Sequence, residues 1–562
     1  MATASSSELF LDHPGDESSP NITSNASFDG RENPFQIKNK SRPASLLSRA
    51  SGESTIELPD EVITTEGLRH SEIALNAKKY KTSSFLDRLM QILGELQVPT
   101  WSERPLSSNA SISSRSSFNM SVAPPEKGDI WIHKVSGSLT NAAFFVLVPS
   151  TSREQITSFQ SKAPYKTLLL RVYGPSSSSL INRSAELRIL HVLSSRYRIG
   201  PRVWGTFANG RIEEYFESDP LTSSDIRDPH ISRCIAVRMS ELHRVDVRKV
   251  VDPKQWADPG DGTRGELGVK RNVRTWIPPA REVLSLIRNE EYKKEIDFEL
   301  LVKQWDTYYK WVRDWEKEDD CLKESPRVFC HNDTQYGNLL RLRTTQPGML
   351  PHQQIIVVDF EYASPNCAAF DIANHFCEWT TDYLGSNPAL LKPSRFPTRA
   401  ERDNFYLAYL QSGLVLDNRS SRADPETPTG SSGQLVDSPS STPALSRHNS
   451  QAQISRHGSL TQMQSKTPPL AQFARRGSAV LPDAMDLLEE QVRRWMPASH
   501  GMWAIWALVQ ARDDVERINR RMEGKRQDGE EEEEDVMEFD YLLYASDRIR
   551  IFREACQELG VF

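Results

Sequence analysis

Two neighbouring stretches, Val328 to Leu340 and Ile355 to Glu361, constrain this chain more than any other part of its 562 residues. The first contains His331-Asn332-Asp333-Thr334-Gln335-Tyr336-Gly337-Asn338, an H-x-D-x-x-x-x-N pattern. The second is an apolar run, Ile355 to Val358, that ends in Asp359, 21 residues after Asn338. Phosphoryl transfer requires this set of groups. One carboxylate receives or orients the hydroxyl proton of the nucleophile, while an amide oxygen and a second carboxylate hold Mg2+ against nucleotide phosphates. The spacing from Asp333 to Asn338 is that between the base and the metal-binding Asn of a protein-kinase loop. Alone, the loop pattern would serve equally as a polar turn beside an unrelated strand-end Asp. The apolar strand ending in Asp-Phe, with the upstream features below, favours the catalytic reading.

A nucleotide lobe needs a turn over the phosphates, a cation for them and an acid to hold that cation. Ser136-Gly137-Ser138-Leu139-Thr140-Asn141 lies between two strand-like runs, where small residues let backbone approach phosphate. It is not G-x-G-x-x-G, so an ordinary hairpin turn is the alternative. Leu168 to Tyr173 places Arg171 in an apolar strand, where burial is costly without a partner. Glu186, in the next helix, is the expected partner, an Arg–Glu version of the kinase Lys–Glu pair. No G-x-x-x-x-G-K-[ST] occurs, which excludes a P-loop.

Strand-like runs cover Ile130 to Val135, Ala142 to Val148, Thr167 to Tyr173, Val203 to Phe207 and Arg211 to Phe216, with a helical pattern from Ser184 to Leu193 among them. From Ile231 helical periodicity dominates. A short β-rich lobe followed by a longer α-rich lobe is the expected α+β architecture. Residues 1–60 are rich in Ser, Asn, Pro and acids and cannot bury enough apolar surface to offset chain entropy. Phe85, Leu89, Ile92, Leu93 and Leu96 recur at helical spacing, with Ser84 and Asp87 resembling a capping box and Pro99 as the stop. Ser-rich Leu106 to Val122 and the Ser/Thr/Pro/Gln-rich run Asp417 to Ser478 read as unstructured, the latter as an insertion. The acidic block Glu530 to Asp535 reads as a solvated loop. The expected division is a disordered tail 1–82, a helix and linker 83–128, an N-lobe 129–218, a C-lobe 219–416, a disordered insertion 417–480 and closing helices 481–562.

No apolar run reaches the roughly 18–20 residues of a membrane span, and Met1 to Phe10 lacks a secretory signal. Six Cys without a C-x-x-C pair fit a reducing cytosol and a cytoplasmic protein. A net charge of −7, from 69 Lys+Arg against 76 Asp+Glu, gives no support to nucleic acid as a partner.

The His331 to Asn338 loop, the stretch Val358-Asp359-Phe360-Glu361-Tyr362-Ala363 and the stretch Phe370-Asp371-Ile372-Ala373-Asn374-His375-Phe376-Cys377-Glu378-Trp379 together resemble the choline/ethanolamine kinase family. Ser499-His500-Gly501-Met502-Trp503-Ala504-Ile505-Trp506 makes the likeness strongest to its fungal choline kinases. The resemblance covers about residues 130–415 and 482–562. It implies a bilobal protein-kinase-like fold that moves the γ-phosphate of ATP to the hydroxyl of choline with Mg2+, the first step of the CDP-choline route to phosphatidylcholine. Carried over by position, Asp333 is the base, and Asn338 and Asp359 hold Mg2+. Val135, Ser136, Gly137, Ser138, Leu139, Thr140 and Asn141 cover the phosphates, Arg171 with Glu186 contacts them, Gln335 lines the same site and Glu214 lies beside the adenine. Ser138 stands where the family usually has the second of two glycines.

Choline's trimethylammonium has no N–H, so an aromatic cage near carboxylates is its natural host, at about 0.5–2 kcal/mol per well-placed ring. The candidates are Tyr362, Tyr383, Trp503, Trp506, Tyr541 and Tyr544, with Glu361 and Glu378 supplying negative potential. Trp503 and Trp506 share a helix face, which would otherwise be plain core. His375 reads as a core histidine and His331 as a brace. Ethanolamine, alone or with choline, is the alternative acceptor. A silent kinase-fold scaffold is the other-class alternative, although Asp333, Asn338 and Asp359 are all present. A homodimer and a regulatory kinase acting on Ser478 in Arg475-Arg476-Gly477-Ser478 are open partners, and Ser459 offers a weaker motif.

Overall fold

The computed structural model describes residues 63–102, 123–137, 141–150, 164–173, 183–251, 265–321, 323–420, 481–522 and 539–562. A six-stranded sheet forms the smaller lobe. Its strands are β1 (His70–Ser71), β2 (Trp131–Gly137), β3 (Asn141–Leu147), β4 (Leu168–Tyr173), β5 (Val203–Phe207) and β6 (Gly210–Glu214), ordered β1-β5-β6-β4-β3-β2. β2 through β6 pair antiparallel, and β1 joins the edge parallel to β5. Strand side chains alternate between faces. Leu168, Leu170 and Val172 of β4 therefore share one buried face, which packs under α1 (Ser83–Glu95) through Phe85, Leu89, Ile92 and Leu93. The intervening residue, Arg171, is left on the opposite face. There α2 (Arg183–Val192) brings Glu186.

After β6 the chain crosses into the larger lobe as β7 (Ser218–Pro220), which pairs with β9 (Leu339–Leu342), itself paired with β10 (Ile355–Val357). β8 (Arg327–Cys330) pairs with β11 (Ser364–Cys367). The loop 331–338 is thus anchored by strands at both ends, and Asp359 follows β10 directly. Helices build the rest of this lobe, chiefly α3 (Pro229–His243), α4 (Gly268–Ser285), α5 (Phe298–Cys321), α6 (Ala368–Glu378), α7 (Arg399–Ser420), α8 (Leu481–Gln510) and, after α9 (Arg512–Met522), α10 (Tyr541–Glu558). α8 packs against α4, α6 and α10 at the centre of this core. Gly501 permits that approach, since a Cβ there would meet the Trp305 ring on α5 at 2.8 Å. No described helix is long and apolar enough to cross a membrane.

Three boundaries differ from the sequence reading. The tail expected to run to residue 82 includes folded chain from residue 63: Leu75 is buried, and its backbone N–H and C=O both bond the Asn209 side chain at 2.9 Å. A two-residue strand and a buried Asn leave no periodic signal. The N-cap of α1 is Thr82, whose Oγ1 accepts from Phe85 N at 3.3 Å, and not Ser84. The helix closes at Leu96, ahead of Pro99. α7 continues to Ser420, past the expected start of the insertion at 417. Residues 103–122, 421–480 and the acidic block lie outside the described residues, as do Ser459 and Ser478.

Candidate active site

Asp333 projects from the loop between β8 and β9. Asn338 Nδ2 donates to its Oδ2 at 2.8 Å and to its backbone carbonyl at 3.0 Å, closing the loop across the five-residue spacing. Burial, then the nearby carboxylates of Glu378 and Asp359, push the Asp333 carboxyl well above its ordinary range, against hydrogen bonds from Asn338 and Gln335. His331 braces the loop as expected. Its Nδ1 accepts from Asp333 N at 3.3 Å, which assigns the proton to Nε2, 3.0 Å from the carbonyl of Val358. Burial lowers its pKa, so the ring is neutral.

Asn332 and Asp359 both take left-handed backbone, φ 65° and 66°, which costs a non-glycine residue about 1–3 kcal/mol. The surroundings hold Asn332 there. Its N–H donates to Asp371 Oδ1 at 2.8 Å and its Nδ2 to the carbonyl of Tyr362 at 2.9 Å. Asp371 also accepts from His331 N at 3.0 Å and pairs with His243 Nε2 at 2.9 Å. Burial alone would raise Asp371, but the His243 contact and the loop N–H groups bring it below the usual carboxylate value. His243, Cys330 and Asp371 cluster closely enough to ligate a metal, yet these hydrogen bonds already explain the cluster.

Asp359 opens into the cleft although protein surrounds it at longer range, and that enclosure raises its carboxyl against the pull of Arg171. The Asn338 carbonyl accepts from Val358 N at 3.0 Å, which seats Asn338 beside Asp359. Neither the Asp359 carboxylate nor Asn338 Oδ1 accepts a hydrogen bond among the described residues, and Gln335 Oε1 is buried without a partner. Uncommitted carboxylate and amide oxygens fit a hard divalent cation such as Mg2+.

The phosphate-side cation is arranged differently from the expected Arg171–Glu186 pair. Arg171 Nε lies 3.0 Å from Glu213 Oε1, bent away from hydrogen-bond alignment. Glu186 is taken by Arg211 at 2.8 Å and Arg183 at 2.9 Å. Arg211 faces Arg171 across β4–β6 in register and reaches Glu186 first, while Arg211 Nε also bonds Glu213 at 2.5 Å. Burial pushes Glu186 up, but Arg211 and Arg183 overcome it and hold its carboxyl at about 2. Arg171 stays one-third exposed, with Asp359 within electrostatic reach. Val135, Ser136, Gly137 and Asn141 lie at the β2–β3 end, with a bulge between Lys134 and Ser136. Ser138, Leu139 and Thr140 fall outside the described residues. Glu214 ends β6 at the lobe crossing, where Oε2 accepts from Arg202 N at 3.3 Å.

The aromatic candidates converge. Tyr362 meets Trp503 at 5.4 Å, Trp503 meets Trp506 at 5.4 Å, and Trp506 meets Tyr541 at 5.8 Å. Phe539 joins Tyr541, Tyr544 and Tyr383 at 5.1, 5.3 and 6.3 Å, closing the set. Trp506 Nε1 donates to Tyr362 Oη at 2.9 Å. Glu361 is half-buried, and burial, then Asp359, pushes its carboxyl well up. Glu378 supplies less free charge than expected. Arg548, fully buried, donates to Oε1 at 2.8 Å, and Tyr383 donates to Oε2 at 2.7 Å. Arg548 also lies 4.9 Å from the Tyr544 ring centroid, so one face of that ring is already taken.

The sequence model for "Choline/ethanolamine kinase" matches residues 132–553. The chain belongs to the choline/ethanolamine kinase family. It is 30% identical to a choline kinase of Schizosaccharomyces pombe over 455 residues, covering 76% of this chain and 84% of that one. It is 31% identical to a choline kinase of Saccharomyces cerevisiae, over 53% of this chain and 54% of the relative. A solved choline kinase of Cryptosporidium parvum is similar at 21% identity and a TM-score of 0.49, over 78% of this chain and 92% of that structure. The two-lobe kinase-like architecture expected from the motifs is the one observed.

Sequence reasoning missed Glu213, Arg211, Asp371, Asn374, Phe539 and Arg548. Asp371 and Asn374 stood inside the quoted Phe370 to Trp379 stretch, where polar residues on a wholly buried helix were the available signal. Arg548 stands one helical turn beyond Tyr544 in α10, the same face as that ring, and this spacing was the only sign that its charge turns inward.

Proposed function

We propose that this protein transfers the γ-phosphate of ATP to the hydroxyl of choline, giving phosphocholine and ADP. The observation that carries the reading is the double attachment of Tyr362. Its ring is a wall of the aromatic set, and its backbone carbonyl binds Asn332, next to Asp333. A cation seated against these rings therefore keeps its two-carbon arm within reach of the Asp333 carboxylate.

In this reading Asp333 accepts the hydroxyl proton. Asn338 Oδ1 and Asp359 would hold Mg2+, which supplies charge neutralisation at the β- and γ-phosphates. Arg171, freed from Glu186 by Arg211, meets the phosphates with its Nη groups, beside the segment Val135 to Asn141, and Gln335 borders the same space. Glu214 sits at the adenine end. Of the two carboxylates beside the cage, Glu378 is already satisfied by Arg548 and Tyr383, so only Glu361 is left to meet an ammonium and the rings favour choline over ethanolamine. A primary ammonium would leave its N–H groups facing rings, whereas a quaternary ammonium has none to satisfy.

The test is one steady-state assay with choline and ethanolamine as parallel acceptors. Choline should show the higher kcat/KM, and the reverse order would transfer the assignment to ethanolamine. Cys234, Cys330, Cys367, Cys377 and Cys556 are buried and free of disulfides, in keeping with a cytoplasmic enzyme. Light scattering of the purified chain tests the homodimer. Mass spectrometry of native protein tests Ser478 as a kinase target, and an unmodified Ser478 across growth conditions would remove it.

A further inference from the structure

Asn374 lies on α6 with its side chain fully buried. A carboxamide offers two N–H donors and an oxygen with two lone pairs. Nδ2 donates to the carbonyl of Asn332 at 3.2 Å. Oδ1 accepts from Trp503 Nε1 at 2.8 Å and from Ser499 Oγ at 2.7 Å, which uses both lone pairs. Turning the amide over would set N–H against Trp503 Nε1–H and oxygen against the Asn332 carbonyl, so its orientation is determined.

Its partners belong to the two halves of the site. The Asn332 carbonyl is part of the peptide leading into Asp333, at a residue held left-handed by contacts with Asp371, Tyr362 and Asn366. Trp503 is a wall of the cage, edge-on to both Tyr362 and Trp506. We infer that Asn374 is a positioning residue that keeps the acceptor cage in register with the catalytic loop. The inference rests on the reading that the cage seats the acceptor. Hydroxyl, carboxylate and γ-phosphorus must meet in a near-attack geometry, and a displacement of about 1 Å costs about 100-fold in rate. With the register loosened, choline still binds its rings, but water competes for the γ-phosphate. Water's oxygen then bonds to phosphorus as the bond to ADP breaks, its proton passing to Asp333, giving ADP and inorganic phosphate.

The test is Asn374→Asp, which keeps the volume and the acceptor contacts to Trp503 and Ser499 but sets an oxygen against the Asn332 carbonyl. Phosphocholine and ADP are measured separately at saturating ATP. The expected result at pH 8 is a fall in kcat of about 10–100-fold, a choline KM within about 3-fold of wild type, and an ADP to phosphocholine ratio clearly above that of wild type. A purely structural role would lower both products together, and an unchanged ratio overturns the inference. Should Asn374→Asp fail to fold, Trp503→Phe with Ser499→Ala removes both donors to Oδ1 and must show the same raised ratio, or the inference fails. Wild-type enzyme that phosphorylates no amino alcohol would sink the proposed function itself, a separate outcome.

Discussion

At the scale of single residues, Arg171 and Arg211 separate function from folding. They face each other on β4 and β6 and share Glu213. Arg211 is buried and compensates both Glu186 and Glu213, so Arg211→Met leaves buried carboxylates short of a partner, at about 3–5 kcal/mol. Arg171→Met leaves Glu213 with Arg211. It should raise the ATP KM by about 10-fold or more, as loss of a charged phosphate contact does, with little change in Tm. Thermal melts and ATP kinetics of the two variants check this, and equal melting losses would contradict it. Asp333→Asn should lower kcat by about 10²–10⁴-fold with the fold intact. The loop was legible because its groups sit at fixed spacing. The Arg171 partner was not, because a strand register decides which acid lies nearest, and no spacing encodes that.

At the scale of elements, α8 and α10 carry the rings proposed as the acceptor wall. Trp503→Ala should raise the choline KM by about 2–30-fold, from about 0.5–2 kcal/mol of lost cation–π attraction, and leave the ATP KM nearly unchanged. Equal rises in both constants would indicate lost folding. The N-terminus of α10 is capped from α9, where Asp514 Oδ2 accepts from Tyr541 N at 2.8 Å and Leu542 N at 3.3 Å. Burial, then Asp540, pushes Asp514 up to about 6, against Arg517 and those N–H groups. A folded-state value above the unfolded one means that its contribution is complete below about pH 4 and is lost as pH rises through about 6. Thermal melts from pH 4.5 to 8 should show a stability loss across that window that is smaller in Asp514→Asn. Identical profiles would contradict the assignment. The helical spacing of Trp503 and Trp506 revealed this wall, whereas Phe539 and Arg548 complete it from a distance that only the packing of α10 on α8 sets.

At the scale of the whole molecule, the division into a β-rich and an α-rich lobe followed from a change of hydrophobic period, which is a local property of the chain. The extension of the N-lobe back to residue 63 did not, because β1 is two residues long and gains its place from the edge of β5. A chain beginning at residue 103 should therefore melt lower than one beginning at residue 63, because it loses the α1 face over Leu168, Leu170 and Val172. The most direct measurement is a phosphorus NMR time course of ATP, Mg2+ and choline with wild type and Asp333→Asn. The expected result is conversion of the γ-phosphate signal to phosphocholine by wild type alone. No phosphocholine from wild type, or equal conversion by both proteins, would contradict a base at Asp333 serving a choline-filled cage.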